Sequence, residues 1–153
     1  MFFTFLDRSE RKLNELDSLD DGLRVLHTPN PSAAQRGGPS GQEFTWIYAT
    51  SVEALYEDVQ VTEFGAFSWD SVDERWRFGT IYDRPFNGQE FSEWYQCPGA
   101  RIRKGAVVFD GSNYTGSDIM EAHRSLWYFI GITQGGRRVK GQAVIEHLAE
   151  LLG

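Results

Sequence analysis

The heptapeptide CPGARIR, residues 97–103, contains the only cysteine of the chain and an arginine six positions after it. Enzymes that hydrolyse phosphate monoesters through a cysteine use this spacing, because the loop and the arginine bind phosphate oxygens around an attacking thiolate. Such a cysteine lies immediately before a helix, whose amino-terminal end stabilises negative charge. Here the predicted helix precedes Cys97 and a strand-like segment follows Arg103. We therefore predict a structural cysteine rather than a phosphatase.

Glu63 is the acid whose surroundings best suit acid/base catalysis. It lies within the apolar, strand-like segment Val59–Trp69, and an inward-facing position would raise its pKa towards the range of a general acid or base. A solvent-facing position, or an ion pair with Arg77 or Arg84, is the alternative. If the protein is an enzyme, we expect Glu63 to act as the acid/base, Arg84 as a substrate clamp and Tyr95 as a proton donor.

The remaining catalytic motifs are missing or misplaced. The three histidines, His27, His123 and His147, lie in separate segments, and the sequence contains no H-x3-H, no H-E-x-x-H and no cysteine pair. We therefore predict no metal site, and we place His147 on the surface of a helix. The sequence also lacks a G-x-S-x-G nucleophile motif and a G-x4-G-K-[ST] phosphate loop, so we expect no cofactor.

Aromatic residues are abundant, with five Trp, six Tyr and eleven Phe. A small domain cannot bury them all with their polar edges satisfied, so we expect some to line a groove. Trp94 and Tyr95 precede the cationic turn that contains Arg101 and Arg103, and we predict these four as ligand-binding residues. The alternative is a tryptophan-rich core whose ring N–H groups meet backbone carbonyls.

These observations favour a soluble, non-enzymatic binding or accessory domain. Its aromatic groove would bind a small molecule or a protein partner. A small-ligand enzyme that uses Glu63 in a sheet-lined pocket is the alternative.

Charge and length exclude several other functions. The formal net charge is −7, which disfavours binding to nucleic acid. No apolar run approaches the roughly 18 residues that a membrane helix requires. The start MFFTFLDRSERK does not resemble a signal peptide, and a single cysteine excludes an internal disulfide. We therefore expect a cytoplasmic protein.

The amino-terminal part of the sequence predicts a helical arm followed by a linker. An apolar stripe of five leucines predicts a helix through Asp7–Leu26: Leu6, Leu13, Leu16, Leu23 and Leu26. Residues 28–42 contain three prolines and three glycines, which indicates a flexible linker. The predicted organisation is a helical arm at 1–27, this linker, and a single α+β domain at 43–153. The leucines would pack either on the sheet or against a second chain. Packing against a second chain would produce a homodimer through this helix.

The rest of the chain predicts strands and two helices. Alternating and apolar segments indicate strands at Glu43–Val52, Val59–Trp69, Arg75–Tyr82, Gly105–Asp110 and Ser125–Thr133. Asn87 and Glu90 form a capping box that predicts a short helix over Gly88–Gln96. Residues 111–116 suggest a loop. The spacing of apolar residues over Gln142–Leu152 predicts a carboxy-terminal helix. The predicted fold class is α+β: a mainly antiparallel twisted sheet, or meander, with the helical arm and with the carboxy-terminal helix packed on one face.

Overall fold

A computed structural model of the chain describes residues 6–152. The described helices are α1 (Arg8–Ser18), α2 (Gly88–Trp94) and one 3₁₀ turn (Pro98–Ala100). The eleven strands are β1 (Asp20–Asp21), β2 (Leu23–Thr28), β3 (Ser32–Arg36), β4 (Phe44–Ala54), β5 (Val59–Asp70), β6 (Arg75–Phe78), β7 (Phe86–Asn87), β8 (Arg101–Ile102), β9 (Val107–Ser117), β10 (His123–Thr133) and β11 (Arg138–Leu151).

All eleven strands belong to one hydrogen-bonded sheet of mixed direction. Strand β10 pairs antiparallel with β5 on one edge and with β11 on the other. The short strands β8, β7 and β6 follow one another along the outer edge of β5. Strand β4 pairs with β9 on one edge and with β2 and β3 on the other. Strands β1 and β3 pair parallel with β11, and β3, which also pairs with β4, joins the two halves of the sheet.

Strand β10 is buried on both faces, which explains its nearly continuous apolar sequence. Because successive side chains of a strand point to opposite faces, alternate residues enter two different cores. Trp127 and Phe129 belong to the larger core, which also contains side chains from β2 and β4. Leu126, Tyr128 and Ile130 belong to a smaller core on the opposite face.

Helix α1 covers the smaller core. Its first turn is capped by Asp7, whose side chain accepts a hydrogen bond from the Glu10 amide at 2.9 Å. Leu16 is buried against the sheet, and the hydroxyl of Ser9 accepts a hydrogen bond from the Phe78 amide at 2.8 Å. The leucine stripe of α1 therefore has a partner within its own chain, and a homodimer through this helix stays a prediction.

Helix α2 is short and firmly anchored, and its predicted capping box is confirmed. The Asn87 side chain accepts from the Glu90 amide at 2.9 Å, and the Glu90 carboxylate accepts from the Asn87 amide at 3.0 Å. Phe91 is fully buried in the larger core and stacks on Tyr95 at a ring-centroid distance of 4.4 Å. The helix thereby fixes the direction in which Trp94 points.

The predicted fold class, α+β with a mainly antiparallel meander, is wrong. The sheet contains parallel pairs, and the segment predicted as a carboxy-terminal helix belongs to β11. Val139, Ile145 and His147 are buried along β11, and their spacing in multiples of two residues is that of a strand. Backbone pairing with β10 outweighs the helix propensity of this segment, because propensity is a weak preference compared with tertiary structure.

The amino-terminal segments also contribute strands. The range 1–27 contains α1, β1 and all of β2 except Thr28, and the range 28–42 contains β3. Burial alternates along β2, where Leu23 and Val25 point into the larger core and Leu26 faces solvent. The leucines whose spacing suggests one long helix therefore belong to two elements, the helix α1 and the strand β2. Residues 1–5 of the predicted arm lie outside the described residues.

Within residues 6–152, no helix combines the length and the apolar character that a membrane crossing requires.

Candidate functional site

A half-open cavity of about 710 Å³ lies between β9 on one side and β5 and β10 on the other. The loop after β6 and the end of α2 complete its walls. The described residues that line it are Ser40, Gln42, Ala66, Phe67, Ser68, Gly79, Thr80, Ile81, Tyr82, Phe86, Trp94, Asp110, Ser112, Asn113, Tyr114, Thr115, Gly116, Ser125 and Trp127. This volume is within the range of roughly 300–1,000 Å³ that is typical of small-molecule sites.

Four aromatic residues form a continuous wall of the cavity. The ring of Phe86 lies 4.7 Å from that of Trp94, 5.7 Å from that of Tyr82 and 6.4 Å from that of Trp127, measured between centroids. Phe86 is buried, whereas Trp94 is half-buried and Tyr82 is exposed. Trp94 also packs edge-on against Phe64 at 5.6 Å. The ring wall is therefore supported from behind by the larger core.

The hydroxyl of Tyr48 holds Trp127, one of the four residues of this wall. Trp127 Nε1 donates a hydrogen bond to Tyr48 Oη at 2.8 Å, and Tyr48 Oη lies 2.9 Å from Thr115 Oγ1 at the cavity surface. Burial of Tyr48 raises the pKa of its phenol, so the group stays protonated at neutral pH. Its proton is thus available to Thr115, and the Trp127 ring is held in one orientation.

The opposite wall, from β9, is polar and is tied to the interior through Asn113. Asn113 Nδ2 donates to Thr50 Oγ1 at 2.9 Å, and Thr50 Oγ1 lies 2.8 Å from His27 Nδ1. His27 Nε2 lies 3.1 Å from the Ala143 carbonyl, which can only accept, so Nε2 carries the proton and Nδ1 accepts from Thr50. Burial lowers the pKa of His27, which favours this neutral form. The chain of bonds holds Asn113 rigidly.

Ser125 and His147 form a second buried network beside the cavity. Ser125, which lines the cavity, has its Oγ 3.1 Å from His147 Nε2, and Ser32 Oγ lies 3.1 Å from His147 Nδ1. Burial lowers the pKa of His147 to about 3, with smaller contributions from His123 and His27. An imidazole of this pKa is a poor base at neutral pH. The serine–histidine pair therefore supports the wall rather than forming an activated nucleophile.

Asp110 is the one carboxylate among the described lining residues. It lies in β9 opposite Thr50 of β4, and its Oδ1 accepts a hydrogen bond from the Ser112 amide at 3.0 Å. Burial raises the pKa of this carboxyl, and the Ser112 amide opposes the effect only in part.

The three residues assigned to acid/base catalysis lie in different places. Glu63 forms an ion pair with Lys12 of α1 at 2.7 Å and accepts a hydrogen bond from Tyr128 Oη at 2.7 Å. Arg84 is exposed and pairs with Glu90 at 2.8 Å. Tyr95 is buried in the larger core, where burial raises its pKa well above the ordinary value. None of Glu63, Arg84 and Tyr95 is among the described residues that line the cavity.

The residues assigned to ligand binding divide into two groups. Trp94 lines the cavity, whereas Tyr95 points into the core beside it. Arg101 and Arg103 are exposed and are not among the described lining residues. Cys97 is buried at the end of α2, its thiol donates to the Arg101 carbonyl at 3.3 Å, and burial raises its pKa.

The residues of the polar wall were not predicted, because most of them lie in a part of β9 whose sequence suggests a loop. Asp110, Asn113 and Thr115 fall in a stretch rich in Gly, Ser and Asn, which suggests a turn. The available signal is alternation, since Asn113 is buried next to the less buried Ser112 and Tyr114.

The three histidines also come closer than their sequence positions suggest. The ring centroids of His123 and His147 are 4.5 Å apart, and Tyr48 lies between His147 at 5.6 Å and His27 at 5.5 Å. Even so, the described residues contain no group of three or more His, Cys, Asp or Glu side chains arranged to hold a metal ion.

Comparison with known proteins identifies similar folds only. No known protein family matches the chain, and no curated protein matches it. The X-ray structure of the Northeast Structural Genomics Consortium target SoR45 is 10% identical, with a TM-score of 0.50 over 84% of this chain and 88% of that chain. The crystal structure of a candidate ApaA protein from Bordetella pertussis is 11% identical, with a TM-score of 0.47 over 83% of this chain and 95% of that chain. At this identity the likeness to SoR45 concerns the fold alone, and the lower-scoring likeness carries no argument.

Proposed function

We propose that the protein is a non-enzymatic binding or accessory domain that holds a small molecule in the cavity between β9 and β5–β10. The observation that carries the proposal is the pairing of a preformed aromatic wall with a polar wall across about 710 Å³. Aromatic faces supply contact area to a ligand, and a few fixed polar groups orient it. Phe86 and Trp127 in the aromatic wall and Asn113 in the polar wall are buried, so little ordering entropy is lost at these residues when a ligand binds.

The shape of the site favours a small molecule over a protein partner. Protein partners generally bind broad surfaces, whereas small ligands occupy concave sites that bury most of their area. The hydroxyl of Thr115 keeps a lone pair for a ligand beside its bond to Tyr48. The single buried cysteine fits a reducing compartment, and we propose the cytoplasm.

The enzyme alternative has weaker support. Glu63 forms an ion pair with Lys12 and is not among the described lining residues. Ser125 does line the cavity, yet its partner His147 has a pKa of about 3 and bonds to a second serine instead of a carboxylate. A nucleophilic serine needs a base that can take its proton near neutral pH.

A fragment screen by thermal shift tests this proposal. Neutral, cationic and anionic fragments are screened against the wild type and against two variants, Trp94→Ala and Trp69→Ala. Trp69 is a matched control, because it is also a half-buried tryptophan but is not among the described lining residues. We expect stabilising fragments that bind the wild type and Trp69→Ala and lose affinity for Trp94→Ala. A complete screen without hits, or hits that Trp94→Ala retains in full, would contradict the proposal.

A further inference from the structure

We propose that the ligand of this cavity is a cation, an amine or a quaternary ammonium group, held between the Asp110 carboxylate and the rings of Phe86, Trp94 and Trp127. This inference rests on the proposed function, and it adds the chemical class of the ligand.

Asp110 is a half-buried carboxyl group without a counter-ion. Among residues 6–152 it takes part in no ion pair. Its described hydrogen bond, from the Ser112 amide, occupies Oδ1 only. A half-buried carboxylate is normally paired, because removal from water destabilises the charged form.

Asp110 lies on the inward face of β9, because it shares that face with Val108, which packs against the larger core, whereas Phe109 between them is exposed. The negative charge of Asp110 contributes to the raised pKa values of Tyr48 in β4 and of Tyr95 after α2. Those two phenols are buried, so the carboxylate lies close to the core and not only beside solvent. A positive group in the cavity would supply the missing partner in a place where water screens the attraction weakly.

The aromatic rings that line the cavity suit a cationic ligand. The π-faces of aromatic rings attract cations, most strongly for tryptophan, and two tryptophans line this cavity. Among the lining residues that the structure describes, none is a lysine, an arginine or a histidine. Hydroxyl and amide oxygens of the β9 wall add further acceptors. The guanidinium of Arg84 lies 5.1 Å from the centroid of the Tyr82 ring and is paired with Glu90. An anionic ligand would therefore meet an unpaired carboxylate, and the cation beside the wall already has a carboxylate partner.

The charge of the whole chain acts in the same direction. A formal net charge of −7 attracts cationic ligands from solution and repels anionic ones.

Two probes of the same shape and different charge test the inference: choline and its neutral isostere 3,3-dimethyl-1-butanol. Dissociation constants are measured by calorimetry for the wild type, Asp110→Asn and Glu150→Gln. Glu150→Gln is the matched control, because it changes the net charge by the same amount as Asp110→Asn. Glu150 is exposed and is not among the described residues that line the cavity. Asp110→Asn keeps a side-chain oxygen for the Ser112 amide, so the turn is retained.

We expect the wild type to bind choline more tightly than the isostere. Asp110→Asn should weaken choline binding about tenfold and change isostere binding less than about twofold, and Glu150→Gln should change neither. A second variant, Trp94→Leu, keeps apolar bulk but removes a ring face, and it should weaken choline binding more than isostere binding. It tests the inference independently of Asp110.

Two outcomes would overturn the inference. If the isostere binds as tightly as choline, the cavity binds small molecules but does not select cations, and the proposed function stands. If neither probe binds at millimolar concentration, the cation inference fails, and the fragment screen with Trp94→Ala decides the proposed function separately.

Discussion

Replacement of Tyr48 by phenylalanine removes one buried oxygen and tests how the cavity wall is held. Tyr48 is 1% exposed and its hydroxyl accepts the Trp127 Nε1 proton at 2.8 Å. In Tyr48→Phe that indole N–H has no acceptor in the same position, whereas Thr115 lines the cavity and can bond to water. A buried donor without a partner costs about 1–3 kcal/mol. We therefore expect the free energy of unfolding to fall by about 2 kcal/mol.

Urea unfolding followed by circular dichroism measures this change. The slope of the free energy with urea should stay constant, because the surface exposed on unfolding is unchanged. A loss of about 2 kcal/mol corresponds to a fall in Tm of about 4–8 °C for a chain of this length. Tyr56→Phe is the matched control, since Tyr56 is 63% exposed, and its effect should stay within about 0.5 kcal/mol.

A double-mutant cycle separates the hydrogen bond from general packing. Trp127→Phe removes the donor, so the double variant Tyr48→Phe/Trp127→Phe leaves no orphaned N–H group. We expect the double variant to be more stable than the sum of the two single changes implies, by about 1 kcal/mol. A loss below about 0.5 kcal/mol in Tyr48→Phe, or strictly additive effects in the cycle, would refute the reasoning.

Three further predictions concern other parts of the fold. A methyl group on Gly65 would lie 2.9 Å from the Tyr128 ring, so Gly65→Ala should lower the free energy of unfolding in urea by about 1–3 kcal/mol. Gly79→Ala, where nothing lies within 4 Å, should have little effect, and equal effects would contradict the packing. The pKa of His147 is lowered to about 3 by burial, so its NMR signals should not titrate between about pH 7 and about pH 5. Unfolded histidine takes up a proton near pH ~6.5, so stability falls as pH decreases below that value, by at most about 1.4 kcal/mol per pH unit for this group; an ordinary His147 titration would contradict the prediction. Cys97 is 3% exposed, so a thiol reagent should label it rapidly only after unfolding, and rapid labelling of the native protein would count against its burial.

Local signals in the sequence correspond to the elements that form locally. The capping box of Asn87 and Glu90 sets the start of α2 because all its hydrogen bonds join residues three apart. The apolar run in β10 is strong enough to predict a buried strand.

Long-range pairing explains most of what sequence reasoning missed. The segment Gln142–Leu152 consists largely of good helix formers, yet it lies mostly in β11, paired with β10 and β3. Nothing local indicates which strand would pair with it. The same limit applies to β3, whose proline- and glycine-rich surroundings resemble a linker.

In the candidate site too, one residue could be predicted from local signals, whereas the others depend on long-range strand pairing. Trp94 follows from the aromatic surplus and from the predicted helix, and it lines the cavity. Asp110, Asn113 and Thr115 meet it only because β9 pairs with β4 and the sheet then brings β9 close to β5 and β10. A cavity built from strands far apart in the chain leaves no spacing motif in the sequence.

The most direct test of the binding site is a two-dimensional NMR titration that observes the indole N–H signals of the five tryptophans. The ligand is the fragment that stabilises the wild type most strongly in the thermal-shift screen. We predict saturable shifts for Trp94 and Trp127, which line the cavity, and unchanged signals for the three that are not among the described lining residues, Trp46, Trp69 and Trp76. Shifts confined to Trp69 or Trp76, with Trp94 and Trp127 unaffected, would contradict it.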